Sequence, residues 1–348
     1  MGPIERIIAI ETSCDDTSVA IVNRDGVVES CCSAHQDLVH APFGGVVPEG
    51  ASRSHTENLL PLIEAALAKG GRSWPEIHGI AVTSRPGLMG SLMVGVVTAK
   101  TLALAKALPW IDVNHIEGHL LAPFLKDEAY SPPTEFTFPY LALAISGGHT
   151  HMFKVEKIGT YHLLSQTLDD AAGEAFDKFA KLLGLGYPGG VQVDRLSVGG
   201  NLSQFQFPRA MIREETLDFS FSGLKAAAQR LLESLSEDQR RSSLADLCAS
   251  FQEAIVDVLL NKLERAALAH GLSKIALTGG VSANSRLRAR VGELATKQGW
   301  VLALPPLRYC TDNAAMIGLA GLRRLEAGER AGMDVGPSAS SLPADFLT

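Results

Sequence analysis

The chain has 348 residues, of which 46% are hydrophobic and 20% charged, a composition typical of a compact α/β protein of two domains and not of a disordered or fibrous chain. Its net charge of −7, without a run of Lys or Arg, argues against nucleic-acid binding by this chain alone. The five cysteines are odd in number and lack CxxC spacing, so neither a disulfide framework nor a cysteine-zinc site is indicated, and a reducing cytoplasm fits best. We expect no membrane association, because no targeting segment or membrane-spanning apolar run is predicted.

The first predicted elements form a meander. A strand at residues 7–10 runs into a polar turn at 11–18, and a strand at 19–22 is joined to a third strand through Asp25-Gly26. The polar turn offers amides and hydroxyls to an anion, or is a plain surface turn. The glycine- and proline-containing segment 35–55 is interpreted as a lid or a connector, and a helix is predicted at 51–68.

A pair of histidines follows the next predicted elements, which are a strand at 77–83, a helix at 88–107 and a strand at 110–113. His115 and His119 are four residues apart, so on a helix they project from one face within reach of one metal ion. The alternative is a pair of surface histidines, and a metal site requires a third ligand. A linker is predicted at 130–134.

The pattern of strand, polar turn and strand then occurs a second time. A strand at 140–145, a tight turn at 146–150 and a returning strand at 151–155 repeat the beginning of the chain. The repeat predicts two α/β domains of like topology. Such a duplication resembles the actin, Hsp70 and sugar-kinase superfold, in which a nucleotide lies in the cleft between the domains, but a fold alone does not determine function.

Several later residues and loops have either a functional or a purely structural interpretation. In the predicted helix 172–183, Asp177 is either a functional carboxylate or an i,i+4 salt-bridge partner of Lys181. The glycine-rich loop 184–190 approaches a ligand or caps a helix. The strand 274–277 leads to a glycine turn that opens a helix, a suitable place for ribose or phosphate. Asp312 either caps the last helix or supplies the carboxylate that the histidine pair lacks.

Seven motifs, in order, resemble the TsaD family of tRNA N6-adenosine threonylcarbamoyltransferases. The likeness spans roughly residues 7–324 and leaves only the tail unmatched. The motifs are Glu11-Thr12-Ser13-Cys14-Asp15, Gly44-Gly45-Val46-Val47-Pro48-Glu49, His115-Ile116-Glu117-Gly118-His119, Ser146-Gly147-Gly148-His149-Thr150, Phe219-Ser220-Phe221-Ser222-Gly223-Leu224-Lys225, Gly279-Gly280-Val281-Ser282-Ala283-Asn284 and Tyr309-Cys310-Thr311-Asp312-Asn313-Ala314-Ala315.

The resemblance implies two duplicated RNase H-like domains of the actin, Hsp70 and sugar-kinase superfold, with an interdomain cleft. We assign residues 1–133 to the first domain, with the histidine pair, and 134–327 to the second, with the substrate loops and Asp312; 328–348 form a tail. The implied activity transfers a threonylcarbamoyl group from threonylcarbamoyl-AMP to N6 of adenosine 37, in tRNAs that read ANN codons, and releases AMP.

The resemblance also implies site residues. His115, His119 and Asp312 become ligands of one Fe(II) ion per subunit, with Zn(II) as the alternative. The implied substrate contacts are Ile145, Ser146, Gly147, Gly148, His149, Asp177, Gly190, Asp194 and Asn284. No side chain is assigned as a general base.

The implied partners are tRNA, a TsaB-like paralogue and a TsaE-like ATPase, in a heterodimer with the paralogue or a homodimer. Three alternative functions fit the sequence less well. A non-catalytic subunit, like the TsaB paralogue, would have lost the metal ligands, whereas this chain retains all three. An ATPase or kinase of the same superfold would not need the histidines and Asp312. A metallopeptidase would need His-Glu-x-x-His, but Ile116 follows the first histidine here.

Overall fold

The structure is a computed structural model that describes residues 3–36, 40 and 45–340. Several positions of the sequence predictions lie outside these residues. They are Gly44 of the second motif, positions 37–39 and 41–43 of the predicted lid or connector, and positions 341–348 of the predicted tail.

The helices and strands follow one another along the chain in an α/β alternation. The elements up to residue 121 are β1 (Arg6–Glu11), β2 (Thr17–Asn23), β3 (Val28–Ala34), α1 (Pro48–Lys69), β4 (Ile80–Arg85), α2 (Met89–Lys106), β5 (Trp110–Asn114) and α3 (His115–Leu121). Those after it are β6 (Tyr140–Ile145), β7 (Thr150–Lys157), β8 (Thr160–Gln166), α4 (Ala172–Leu182), α5 (Gly189–Leu196), α6 (Ser222–Ser234), α7 (Glu237–Ser242), α8 (Leu244–Ala269), β9 (Lys274–Thr278), α9 (Ser285–Gln298), β10 (Val301–Ala303), α10 (Leu307–Cys310) and α11 (Ala314–Glu326).

The two five-stranded sheets have the same topology. Strands of the first sheet lie in the order β3-β2-β1-β4-β5, and strands of the second lie in the matching order β8-β7-β6-β9-β10. In each sheet the first strand along the chain pairs antiparallel with the second strand and parallel with the fourth. The duplicated topology predicted from the sequence is therefore confirmed.

Strands β1, β2 and β4 of the first sheet are buried on both faces, with larger side chains on one face and smaller ones on the other. Ile8 and Ile10 of β1 belong to a core cluster that includes Leu59 of α1 and Val96 of α2. The other face carries small residues such as Ala9, on which α11 packs closely; a Cβ added at Gly318 would lie 3.3 Å from Ala9 Cβ. Strands covered on both faces are expected to read as continuous apolar runs, as β1 does.

The chain divides into two compact units. The first comprises Met1–Pro132, Ile158–Thr160 and Pro305–Thr348, and the second comprises Pro133–Lys157 and Tyr161–Leu304. The first unit includes the last helix, α11, whereas the sequence assignment had placed residues 134–327 in the second domain. The reason is packing, because α11 contacts β1, β2, β4, β5 and α3 of the first sheet. Asp312 consequently belongs to the same unit as the two histidines.

Helix α2 is the one described helix that is long and apolar enough to cross a membrane by length and composition. No such apolar run was expected from the sequence. The helix packs against β4 and α1, and Leu92, Val96 and Ala99 on its inner face are buried. A core helix passes the same test of composition, and packing accounts for the apolar residues on the inner face; Met93, Val97 and Leu104 on the outer face are exposed.

Candidate functional site

The two histidines lie on α3, which begins directly after β5. The side chain of Asn114 caps this helix by accepting a hydrogen bond from the backbone N–H of Ile116 at 2.8 Å. The cap places His115 at the start of the helix, and His119 lies one turn later on the same side. Both imidazoles are buried, and their ring centroids are 4.7 Å apart.

Asp312 approaches both imidazoles from the segment before α11. Its Oδ1 lies 3.1 Å from Nε2 of His119 and 3.3 Å from Nε2 of His115. The N-cap of α11 is the next residue, Asn313, whose side chain accepts a hydrogen bond from the backbone N–H of Met316. Asp312 is therefore not the cap, and its carboxylate faces the histidines. One potential ligand atom from each of the three residues lies within 4.8 Å of the others.

Gly118 allows α3 to lie close to α11. A Cβ added at Gly118 would lie 2.8 Å from Cδ1 of Ile317 and 3.1 Å from Cγ of Met316. A larger residue here would push the two helices apart. Because one helix carries the histidines and the other follows Asp312, this glycine contributes to the short distances between them.

The opposite side of His115 faces a second carboxylate. Oε2 of Glu11, at the end of β1, lies 3.1 Å from Nδ1 of His115, and Oγ of Ser13 lies 3.2 Å from the same nitrogen. Burial lowers the pKa of His115, but the carboxylates of Asp312 and Glu11 raise it by more than burial lowers it. The net pKa is well above the ordinary value of a histidine. Burial raises the pKa of Asp312, but the charge of His115 and hydrogen bonds from both histidines bring it well below the usual value.

The three side chains fit a divalent transition metal. Two imidazole nitrogens and one carboxylate oxygen are the donor set that suits Fe(II) or catalytic Zn(II). The contact between Glu11 and Nδ1 of His115 is the arrangement that leaves Nε2 free to act as a ligand. Nδ1 of His119 is buried and has no hydrogen-bond partner among the described residues. The chemistry of these donors therefore matches the predicted site.

Glu117 does not take the place of a peptidase general base. Its side chain is almost fully buried and lies 3.7 Å from the guanidinium of Arg324 on α11. Ile116, at the position where a metallopeptidase motif needs glutamate, is also buried. The metallopeptidase alternative consequently has no support from this helix.

In the second unit, the predicted contact residues at 145–149 form a tight turn after β6. The backbone N–H of Ser146 donates to the carbonyl of His149 at 2.7 Å, and the N–H of His149 donates to Oγ of Ser146 at 3.1 Å. Gly147 and Gly148 are exposed, and a Cβ added at either would have no atom within 4 Å. The outer side of the turn is therefore open to a ligand.

Asp177 is directed towards the start of α5. Its Oδ1 accepts a hydrogen bond from the backbone N–H of Gly189 at 2.8 Å. Burial raises the pKa of Asp177, although hydrogen bonds from the N–H groups of Gly189 and Gly190 lower it, and the net pKa is raised. The described residues show no Asp177–Lys181 salt bridge, so that alternative reading of the sequence is not the one the structure adopts.

Asp194 and Asn284 meet at the start of α9. The two carboxylate oxygens of Asp194 accept hydrogen bonds from the backbone N–H of Ser285 at 3.0 Å and from its hydroxyl at 2.7 Å. Asn284 caps α9 by accepting from the N–H of Leu287, and it donates to Oε1 of the buried Gln252 at 2.6 Å. The predicted glycine turn thus opens a helix, although a short 3-10 helix, Gly280–Ala283, comes first.

Two glycines, Gly173 and Gly279, allow neighbouring segments to lie close to the backbone of the turn that follows β6. A Cβ added at Gly173 of α4 would lie 2.6 Å from the carbonyl oxygen of Ser146, and one added at Gly279 would collide with the carbonyl of Ile145. The nine predicted contact residues therefore lie on neighbouring elements at the carboxyl ends of the parallel strands β6 and β9. That edge is where open α/β sheets bind ligands.

Three residues that organise these sites are not among the site residues predicted from the sequence. They are Glu11, Gly118 and Gln252. The first two belong to motifs that we had noted, so their position beside functional residues was a usable signal. Gln252 lies within an apolar helical stripe, where nothing in the sequence distinguishes a buried polar link from a core position.

Comparisons with known proteins agree with this architecture. The family model TsaD, described as tRNA N6-adenosine threonylcarbamoyltransferase, matches residues 28–319. A Bdellovibrio bacteriovorus protein named tRNA N6-adenosine threonylcarbamoyltransferase is 58% identical over 343 residues, which is 99% of each chain. A Trichlorobacter lovleyi protein of the same name is 49% identical over 322 residues, covering 92% of each chain.

A solved structure also has a similar fold. Component A of (R)-2-hydroxyglutaryl-CoA dehydratase from Acidaminococcus fermentans matches with a TM-score of 0.54 and 12% identity, over 93% of this chain and 99% of that one. At such low identity the likeness concerns the fold alone, and that fold is the predicted duplicated one of the actin, Hsp70 and sugar-kinase superfold. With the family match extending over most of its length, the chain belongs to the TsaD family of tRNA N6-adenosine threonylcarbamoyltransferases.

Proposed function

We propose that this protein transfers the threonylcarbamoyl group of threonylcarbamoyl-AMP to N6 of adenosine 37, in tRNAs that read ANN codons, and releases AMP. The observation that carries the proposal is the likeness to a named transferase over 99% of both chains. The assembled side chains of His115, His119 and Asp312 support it, because an ATPase or kinase of the same superfold has no need of them.

The reaction is an acyl transfer in which one bond forms and one breaks. N6 of the adenine attacks the carbamoyl carbon, the bond from that carbon to the phosphate oxygen breaks, and AMP leaves with the electron pair. N6 also loses a proton, for which we assign no general base. Because adenine N6 is a poor nucleophile, the protein accelerates the reaction mainly by holding the two reactants in position.

The residues of the second unit supply this positioning in our proposal. The exposed turn at Gly147 and Gly148 allows a phosphate or carboxylate to approach the backbone closely. Asp177, Gly190, Asp194 and Asn284 contact the adenylate from α4, from α5 and from the start of α9. A fixed cradle of this kind stabilises the charge that develops on the leaving phosphate.

The cofactor in this proposal is one Fe(II) ion per subunit, held by His115, His119 and Asp312, with Zn(II) as the alternative. The bound ion supplies a Lewis acid that polarises and orients the acyl donor. Elemental analysis of anaerobically purified protein identifies the metal. The expected result is one equivalent of iron or zinc, and His119→Ala, which removes one ligand, is expected to contain neither.

The charge of the chain argues for a partner in tRNA binding. Binding of a polyanion normally depends on Lys and Arg contacts, but the net charge here is −7. We propose that tRNA binds weakly to the isolated chain and more tightly once a TsaB-like paralogue adds basic surface. In a filter-binding titration at near-physiological salt, tight binding that the paralogue does not change would contradict this.

Helix α2 offers the surface for the paralogue. Met93, Val97 and Leu104 on this helix are 49%, 55% and 69% exposed, and Leu60 of α1 is 59% exposed. An apolar stripe of this kind is typical of protein interfaces. We propose a heterodimer through this stripe, with a TsaE-like ATPase joining the pair in the cytoplasm. Val97→Glu should abolish pairing in size-exclusion chromatography, whereas Leu268→Glu, at an equally exposed residue of the other unit, should not.

Reconstitution tests the proposed activity directly. The chain, the paralogue and the ATPase are incubated with threonylcarbamoyl-AMP and unmodified tRNA, and the tRNA nucleosides are analysed by mass spectrometry. We expect threonylcarbamoyladenosine together with stoichiometric AMP. Hydrolysis of the adenylate without modified tRNA would contradict the proposed function.

A further inference from the structure

Glu11 occupies an unusual position for a carboxylate. It is the last residue of β1, and its side chain is fully buried. Burial of an ionised carboxylate is costly unless hydrogen bonds or opposite charges compensate for it. The partners of Glu11 should therefore reveal why a carboxylate is placed at the end of a core strand.

Three partners hold the two carboxylate oxygens. Oε1 accepts a hydrogen bond from the backbone N–H of Ser13 at 2.5 Å. Oε2 accepts from the hydroxyl of the buried Thr83 on β4 at 2.5 Å and lies 3.1 Å from Nδ1 of His115. The carboxylate is thus anchored to the turn after β1 and to the neighbouring parallel strand β4, and one oxygen is directed at the histidine.

The geometry of His115 determines what that contact does. Nδ1 faces Glu11, whereas Nε2 faces Oδ1 of Asp312 at 3.3 Å. When Nδ1 carries the proton and donates a hydrogen bond to a carboxylate, Nε2 has a free lone pair. The same hydrogen bond fixes the orientation of the ring. A ligating imidazole with such a carboxylate partner is also more basic.

We propose that Glu11 is a positioning residue for the metal ligand His115: it holds the Nδ1–H of the imidazole and so directs Nε2 towards Asp312. The inference rests on the metal site of the proposed function. It gives a role to the motif at residues 11–15, which neither the metal ligands nor the substrate contacts explain.

A purely structural role for Glu11 is the alternative, in which the side chain only ties β1 to β4 through Thr83. Two variants separate the roles. Glu11→Gln keeps the size and an acceptor oxygen but removes the charge that makes His115 basic. Thr83→Val removes the hydroxyl that links the strands but leaves the contact between Glu11 and His115.

The experiment measures Co²⁺ binding to the full chain by competition with a chelator, together with the visible spectrum of the Co²⁺ protein. We expect Glu11→Gln to weaken Co²⁺ binding by about 10- to 100-fold and to change the spectrum. Thr83→Val should retain nearly the affinity of the unsubstituted chain even where it lowers the unfolding midpoint of the metal-free protein.

Glu29→Gln is the matched control. Glu29 is another largely buried carboxylate of the first unit, but its partners are Arg6 at 2.6 Å and Arg72 at 2.8 Å. Its substitution should leave Co²⁺ affinity unchanged.

Should Glu11→Gln not fold, Glu11→Asp applies the same test. Aspartate keeps the charge but withdraws the carboxylate from Nδ1 by one methylene, so this variant should also weaken Co²⁺ binding.

The inference would be overturned if the folded Glu11 variant had the same Co²⁺ affinity and the same visible spectrum as the unsubstituted chain. That outcome leaves the proposed transfer reaction untouched. Conversely, a chain that binds Co²⁺ in the expected way but modifies no tRNA would contradict the proposed function and not the role of Glu11.

Discussion

Oδ1 of Asp312 lies 3.1 Å from Nε2 of His119, although 193 positions separate the two residues in the chain. The chain reaches this arrangement because the segment from Pro305 returns to the first unit after the second unit is complete. Helix α11 then packs on the first sheet and on α3. The candidate metal site is consequently contained within one unit.

Removal of a ligand should abolish metal binding without unfolding the protein. In His115→Ala or Asp312→Ala only two of the three ligands remain, so we expect metal content and transfer activity to fall to background. The circular dichroism spectrum should be unchanged. His162→Ala, which removes an exposed histidine paired with Glu156, is the control and should retain both properties. Full activity in a metal-free ligand variant would show that the assignment is wrong.

The close packing of α3 against α11 gives a second prediction. Gly118→Ala introduces a Cβ 2.8 Å from Cδ1 of Ile317, so this fully buried side chain must shift or the helices must separate. We expect a loss of about 1–3 kcal/mol in the free energy of unfolding, together with weaker metal binding.

Gly292→Ala in α9 is the matched control for Gly118→Ala. A Cβ at Gly292 has no atom within 4 Å, so alanine should stabilise this helix by about 0.5–1 kcal/mol. Urea unfolding and metal titration of both variants provide the comparison. Equal stability and metal affinity in Gly118→Ala and the unsubstituted chain would contradict the packing argument.

The exposed turn after β6 allows a test that separates ligand binding from folding. Because a Cβ at Gly148 meets no protein atom within 4 Å, we expect Gly148→Val to fold with unchanged stability. The added side chain should nevertheless block a ligand that approaches the backbone, and weaken adenylate binding by at least about tenfold, or 1.4 kcal/mol. Calorimetry with the adenylate measures this; normal binding would remove Gly148 from the proposed contact set.

How much of this arrangement the sequence predicted depends on the range of the interactions involved. Local patterns were sufficient for the histidine helix, for the turn at 146–149 and for the repeat of the sheets. They were not sufficient for Asp312, because Asp312 and Asn313 are adjacent and both can cap a helix. Only the packing of α11 shows that Asn313 is the cap and that Asp312 faces the histidines.

Long-range contacts explain the other differences. We assigned α11 to the second domain because nothing in its local sequence shows that it covers the first sheet. The link from Asn284 to Gln252 joins positions 32 residues apart, and no periodicity reveals it. The family resemblance supplied the carboxylate ligand where spacing alone left two alternatives open.

Asp177 should affect stability in a pH-dependent way. Its pKa in the folded protein is raised above the ordinary 3.8, so the folded state binds the proton more tightly than the unfolded state. Ionisation of Asp177 therefore destabilises the fold as pH rises through this range, and the penalty is complete above the folded pKa. Asp177→Asn removes the charge and keeps an acceptor for the N–H of Gly189.

We expect Asp177→Asn to be more stable than the unsubstituted chain at pH 7, with a smaller difference at about pH 4. Urea unfolding at the two pH values measures this. Adenylate binding measured on the same variant is expected to weaken, because the proposed contact needs the carboxylate. A variant that is less stable at pH 7 would show that Asp177 is held by favourable charge interactions and not by burial.

The most direct test of the proposed function combines the transfer assay with the metal ligands. Threonylcarbamoyl-AMP and unmodified tRNA are supplied with the paralogue and ATPase to the metal-loaded chain and to His119→Ala, and modified adenosine is quantified by mass spectrometry. We expect product only with the metal-loaded chain that retains His115, His119 and Asp312. Equal product from His119→Ala, or none from the metal-loaded chain, would contradict the account.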